Sequence, residues 1–158
     1  MKKILLSFVL LFLFSCSNDS SSESTENLSD KIIGRWNLTN ILENGNPVSG
    51  YSCNKNFDIN EYFSDGSAII KYSDKDSKNI CKQYSEDEKY TIKDGILTET
   101  QKKGSIIVFE SKYRIKEIND NSLKLEAISI FEANDDGSDP IKEDYVEGEE
   151  VKTYIRVE

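Results

Sequence analysis

The chain reads as an all-β protein: an antiparallel up-and-down barrel of about eight strands with a short helical turn at its N-terminal edge. Three observations predict this. Beyond residue 28 no long stretch keeps a helical period. Turn residues punctuate the chain roughly every eight to twelve positions, and the segments between them alternate apolar and polar side chains.

Residues 33–42 form the first expected strand. Residues 56–63, the Asp65-Gly66 turn and residues 68–72 form a hairpin. Residues 81–88 extend the third or fourth strand. A second hairpin runs through residues 89–92, turns at Asp94-Gly95 and continues over 96–100. A long strand over 105–118, a turn over 119–122 and a strand over 123–131 follow, and residues 151–157 close the chain after an acidic segment. Alternation assigns inward faces to Ala68, Ile70 and Tyr72, to Tyr90 and Ile92, and to Ile107, Phe109, Tyr113 and Ile115. Leu123, Leu125 and Ala127 face inward, whereas Ile128 and Ile130 carry the apolar character on the opposite phase. Such a slip predicts a bulge, a device that closed barrels need, and a similar slip separates Ile59 from Tyr62. Glu99 and Glu117 fall on apolar phases and are the two polar candidates for the interior, or for its mouth.

The segment over residues 28–38, with Gly34 and Trp36 entering the first strand, resembles the opening of lipocalin-like domains. The stretches over 61–66, 90–98 and 113–125 resemble the middle of the lipocalin-like domains of bacterial lipoproteins, and residues 154–157 resemble their last strand. The resemblance implies that Trp36 plugs one barrel end with Arg156 lying across it, a cation–π contact of ~0.5–2 kcal/mol. The Thr-Asp-Tyr motif found in the middle of lipocalins is missing. Trp36 as an ordinary core aromatic and Arg156 as a rim charge is the alternative.

The first residues are an address. Lys2 and Lys3 precede an apolar stretch over residues 4–14 that, as a helix, would rise only about 16 Å, half of a ~30 Å hydrocarbon core. Leu13-Phe14-Ser15-Cys16 then resembles a bacterial lipobox, which implies cleavage before Cys16 and lipidation of that residue. The expected organisation is a signal peptide over 1–15, the lipidated Cys16 with a flexible Ser-rich acidic tether over 16–28, and the barrel over 29–158. Ser17 after the Cys resembles lipoproteins destined for the outer membrane of a Gram-negative bacterium, and Asp19 and Glu23 are similar to surface-export tags.

An exported chain meets an oxidising compartment, so Cys53 and Cys81 are expected to pair, closing a loop of about 29 residues for ~3–4 kcal/mol. The acidic segment over 132–150 places Glu132, Asn134, Asp136 and Glu143 at positions 1, 3, 5 and 12 of a calcium-loop-like pattern, with Gly137 at position 6. Glu at the first position and Asp139 where an apolar residue belongs depart from that pattern, and a solvated hairpin loop is the plainer reading. The absence of histidine excludes His-activated nucleophiles and His metal ligands, and a formal charge of −9 argues against nucleic acid. Removing residues 1–15 leaves 18 basic against 29 acidic side chains, and residues 132–150 alone hold nine acids and one Lys. The acidity thus sits largely in one segment.

The expected function is non-catalytic: a monomer, anchored to the membrane at Cys16 and without cofactor, that binds a small apolar ligand inside the barrel. The alternative is a barrel filled by its own Tyr, Phe and Ile side chains that binds a protein or glycan through its loops.

Overall fold

The computed structural model describes residues 25–48, 53, 58–133 and 139–158. Cys16 with the leader, and the calcium candidates Asn134 and Asp136, lie outside the described residues. The chain begins with α1 (Thr25–Ile32), in which Leu28 and Ile32, one turn apart, are both buried on one face. Ten strands follow: β1 (Gly34–Glu43), β2 (Asn46–Pro47), β3 (Ile59–Tyr62), β4 (Ser67–Lys75), β5 (Cys81–Lys93), β6 (Ile96–Lys103), β7 (Ile106–Ile118), β8 (Ser122–Glu132), β9 (Ile141–Asp144) and β10 (Glu150–Val157).

Every pairing is antiparallel, and from β3 to β8 each strand pairs with the next in the chain. β1 pairs with β3 on one side and β10 on the other, and β10 also pairs with β8. The ring is closed: eight strands, with β2 appended to β1 and β9 to the far half of β8. Each of the eight strands is paired on both sides over part of its length, whereas residues 72–75 of β4 pair only with β5 and residues 81–88 of β5 only with β4.

Two hairpins turn on residue pairs with positive φ at both positions, Asp94-Gly95 and Asn44-Gly45, the backbone twist that a two-residue link between antiparallel strands requires. The sequence reading identified the first and missed the second, because β2 is only two residues long. The β4–β5 hairpin runs past the barrel: its far part is exposed, Asp76 accepts the N–H groups of Lys78 and Ile80 at its tip, and Tyr72 stacks on Tyr84. Cys81 on that hairpin is disulfide-bonded to the buried Cys53, with Cα atoms 5.7 Å apart.

The bulge expected after Ala127 is present. Lys112 and Tyr113 face Ser129 and Ala127, so Ile128 is the extra residue and the apolar phase changes across it. The slip expected between Ile59 and Tyr62 is not a bulge: β3 pairs regularly with both neighbours, with Asn60 and Tyr62 as its buried side chains. Two further bulges overturn inward assignments. The extra residue Val108 in β7 leaves Ile107 36% exposed, and the extra residue Lys116 turns Glu117 out to solvent, where it accepts from Asn119.

One end of the barrel is sealed. Trp36 is fully buried above α1 and donates its indole N–H to the Ile32 carbonyl at 2.7 Å. The Arg156 guanidinium lies 4.2 Å from the Trp36 ring centre and donates to the carbonyls of Lys31, Ile33 and Asp120 at 2.7–2.8 Å. Arg156 and Trp36 thereby satisfy carbonyls that the end of a short helix leaves without intrahelical partners. Gly34 has φ +129°, and a Cβ there would overlap Arg156 Nη1, so glycine is required on both counts.

Candidate functional site

Above the sealed end the barrel encloses a cavity of about 870 Å³, large enough for a small organic molecule. Lys102 and Lys103 on the β6 side and Glu132 and Ala133 on the β8 side line the opposite, open end. The apolar part of its wall comes from Leu38, Ile41, Ile70, Val108, Phe109 and Ile130. Inward Tyr side chains do not fill the space: Tyr62 and Tyr90 pack into the core with Trp36.

The inner part of the cavity is polar. Glu99, on β6 opposite Tyr90 and Ser111, is 4% exposed. Tyr62 donates its hydroxyl to Glu99 Oε1 at 2.5 Å and itself accepts from Asn60 at 3.1 Å, while Ser111 donates to Oε2 at 3.0 Å. Burial raises the Glu99 carboxyl above the usual range, and the donors from Tyr62 and Ser111, with the charge of Lys152, pull the other way. β3 and β7 thus each donate one hydrogen bond to this carboxylate, and β10 supplies a positive charge near it. Of the two acids expected to face inward, the structure places Glu99 there and Glu117 outside.

Glu88 was not expected in the interior. It lies on β5 opposite Ala68, is 5% exposed, and its Oε2 has no hydrogen-bond partner among the described residues. Burial, then the negative charges of Glu99 and Glu86, push its carboxyl up to about 8. The signal in the sequence was weak: Glu86, Glu88 and Tyr90 alternate on one face, but within a run of charged residues that reads as solvated. Glu86 accepts the Tyr72 hydroxyl at 2.7 Å, and Asp58 accepts the Ser73 N–H at 2.9 Å. Lys152, also on the wall, pairs with Glu150 at 3.2 Å and lies 5.1 Å from the Tyr113 ring centre.

Residues 141–150 of the acidic segment form a paired strand and a turn rather than an unpaired loop. β9 pairs along β8, so that Glu132 faces Ile141 and Glu143 faces Ile130 on extended, paired backbone. Glu143 accepts from the Tyr145 hydroxyl at 2.9 Å. The turn beyond β9 returns to the barrel wall, where the Gly148 N–H reaches Glu126 at 3.0 Å. Glu126 also accepts from Arg114 at 2.8 Å. Burial opposes its ionisation, but Arg114, Lys116 and the Gly148 N–H outweigh burial and hold the carboxyl below the usual range. Among the described residues no three His, Cys, Asp or Glu side chains are grouped to hold a metal ion.

A family model described as a lipocalin-like domain matches residues 32–125, more than half of the chain. No curated protein and no solved structure matches it. The structure is a closed eight-stranded barrel, and on the family match the chain belongs to the lipocalin-like domain family.

Proposed function

We propose that the protein is an exported, lipid-anchored binding protein that holds a small, largely apolar molecule in its barrel without transforming it. In this reading residues 1–15 are removed, Cys16 carries the lipid in the outer membrane, and residues 16–28 tether the barrel. The observation that carries the reading is the cavity of about 870 Å³, blind at the Trp36 end and partly walled by aliphatic and aromatic side chains. Its size supports a ligand rather than a packed core. Native mass spectrometry of protein extracted from its own cells tests it: the expected spectrum carries a stoichiometric small-molecule mass, and a bare chain under gentle conditions would sink it. Fatty-acid labelling that disappears in Cys16→Ala tests the anchor.

A second reading, contact with a protein or glycan through the loops, draws on Ile106, Ile107 and Ile141, exposed by 67%, 36% and 45% near the open end. Those side chains equally suit the entrance of an apolar ligand. The mass measurement separates the two.

A further inference from the structure

Buried carboxylate oxygens in folded proteins are almost always partnered. Glu88 Oε2 has no partner among the described residues; the residue lines the cavity, and this oxygen is buried just behind its surface. What surrounds it specifies what is missing. Across β4 stands Ala68, which offers no donor side chain. On β5 itself Glu86 faces the same way, and from β6 comes Glu99, with both oxygens already engaged by Tyr62 and Ser111. From the segment leading into β3 comes Asp58, and from β10 comes Lys152, whose ammonium is drawn aside by Glu150 and Tyr113. Six acids thus line the cavity against four lysines; of these, Lys152 reaches the interior, where it pairs with Glu150 and offsets part of the charge of Asp58 and Glu99, and Glu88 draws on none of them. Four aromatic residues share the wall, Tyr72 stacked on Tyr84, Tyr113 already facing the Lys152 ammonium, and Phe109 and Tyr154, the class of side chain to which cations are attracted.

We propose that Glu88 receives the cationic head of the ligand: an ammonium group on an apolar body, donating an N–H to Oε2, with Glu86 and Glu99 supplying the surrounding negative field. This rests on the barrel binding a small molecule, and it adds the chemical class of the head group. The apolar body lies along Leu38, Ile41 and Ile70. A neutral or anionic head would leave the acidic wall unanswered, and an anion would be repelled by it. Binding also moves a proton. Empty, Glu88 holds its proton up to about pH 8, and the arriving ammonium displaces that proton to solvent.

Calorimetry on the full chain, comparing octylamine, octan-1-ol and octanoate at pH 8.5, separates head group from tail. Octylammonium is expected to bind at least about tenfold more tightly than octanol, the scale of a charge-assisted hydrogen bond, with octanoate weakest. Glu88→Gln should bring the amine within about threefold of the alcohol, since the amide keeps the shape and removes the charge. Repeated at pH 7 in buffers of different ionisation heat, octylamine binding to the native chain should release close to one proton, and the Gln variant none. If the alcohol and acid bind and the amine binds no better, or if Glu88→Gln keeps the amine preference, the head-group assignment is overturned while the ligand-binding reading stands. If none of the three binds, both fall.

Discussion

The two ends of the barrel treat polar groups in opposite ways. At the sealed end the Arg156 guanidinium reaches three carbonyls and the Trp36 indole a fourth, around a side chain with no exposure at all. In the cavity a buried carboxylate has an oxygen with no partner among the described residues, and a second acid beside it is raised by burial. The first arrangement stabilises the fold, whereas the second lowers its stability. The difference teaches that the Trp36–Arg156 end is scaffold, and that the unsatisfied polar chemistry lies in the cavity.

Substitutions sharpen that contrast. The largest effect is expected from Trp36→Ala, which empties the sealed end and should lower unfolding free energy by about 3–5 kcal/mol in urea titrations. Reducing the Cys53–Cys81 bridge comes next, at ~3–4 kcal/mol on the chain-entropy estimate for the loop it closes, read as a shift of the same midpoint. Arg156→Gln should cost about 2–3 kcal/mol, since it leaves two part-buried carbonyls short of donors and removes the stacking on Trp36. A sealed end that tolerated Arg156→Gln without loss would break the comparison.

The interior predicts the reverse sign. Glu88→Gln at pH 8.5 should stabilise the empty protein by about 1 kcal/mol, because the amide removes a buried charge. The pH profile gives a finer test. In the folded state Glu88 keeps its proton to about 8, whereas in the unfolded chain it loses it near the ordinary Glu value. The folded state therefore binds more protons between those values, and stability falls as pH rises from roughly 5 to about 8. Glu88→Gln should flatten that arm. Glu126 works the other way: its carboxyl is held low, so its contribution is present above the ordinary Glu range and disappears as acid protonates it in the fold. Glu126→Gln should flatten only the acid arm, the smallest of these effects, measured by thermal melts across pH.

Much of the scaffold was legible in the residues. Asp65-Gly66 and Asp94-Gly95 between alternating segments announced hairpins, and the phase change after Ala127 announced a bulge that is there. Gly34, Trp36 and Arg156 were picked out by their resemblance to a family, and the structure brings all three together. The interior was harder. Glu99 was read as inward, but Glu117 and Ile107 were assigned to the wrong face, and Glu88, Asn60 and Asp58 were not singled out. The cause is the same in each misassignment: a two-residue period is reliable only until a bulge, and a bulge is set by the partner strand. Val108 and Lys116 carry no mark of being extra residues until Gln101 and Leu125 stand opposite their neighbours.

By itself, then, the sequence determined that this chain makes short antiparallel strands, where most of them turn, and which aromatic closes one end. Turn chemistry and apolar alternation are local properties, written in consecutive residues. Only the tertiary structure decided that the interior is open rather than filled, and that an acid in a charged run faces it without a partner. Burial and the absence of a hydrogen bond are properties of everything that surrounds a group, and those surroundings come from strands distant in the chain.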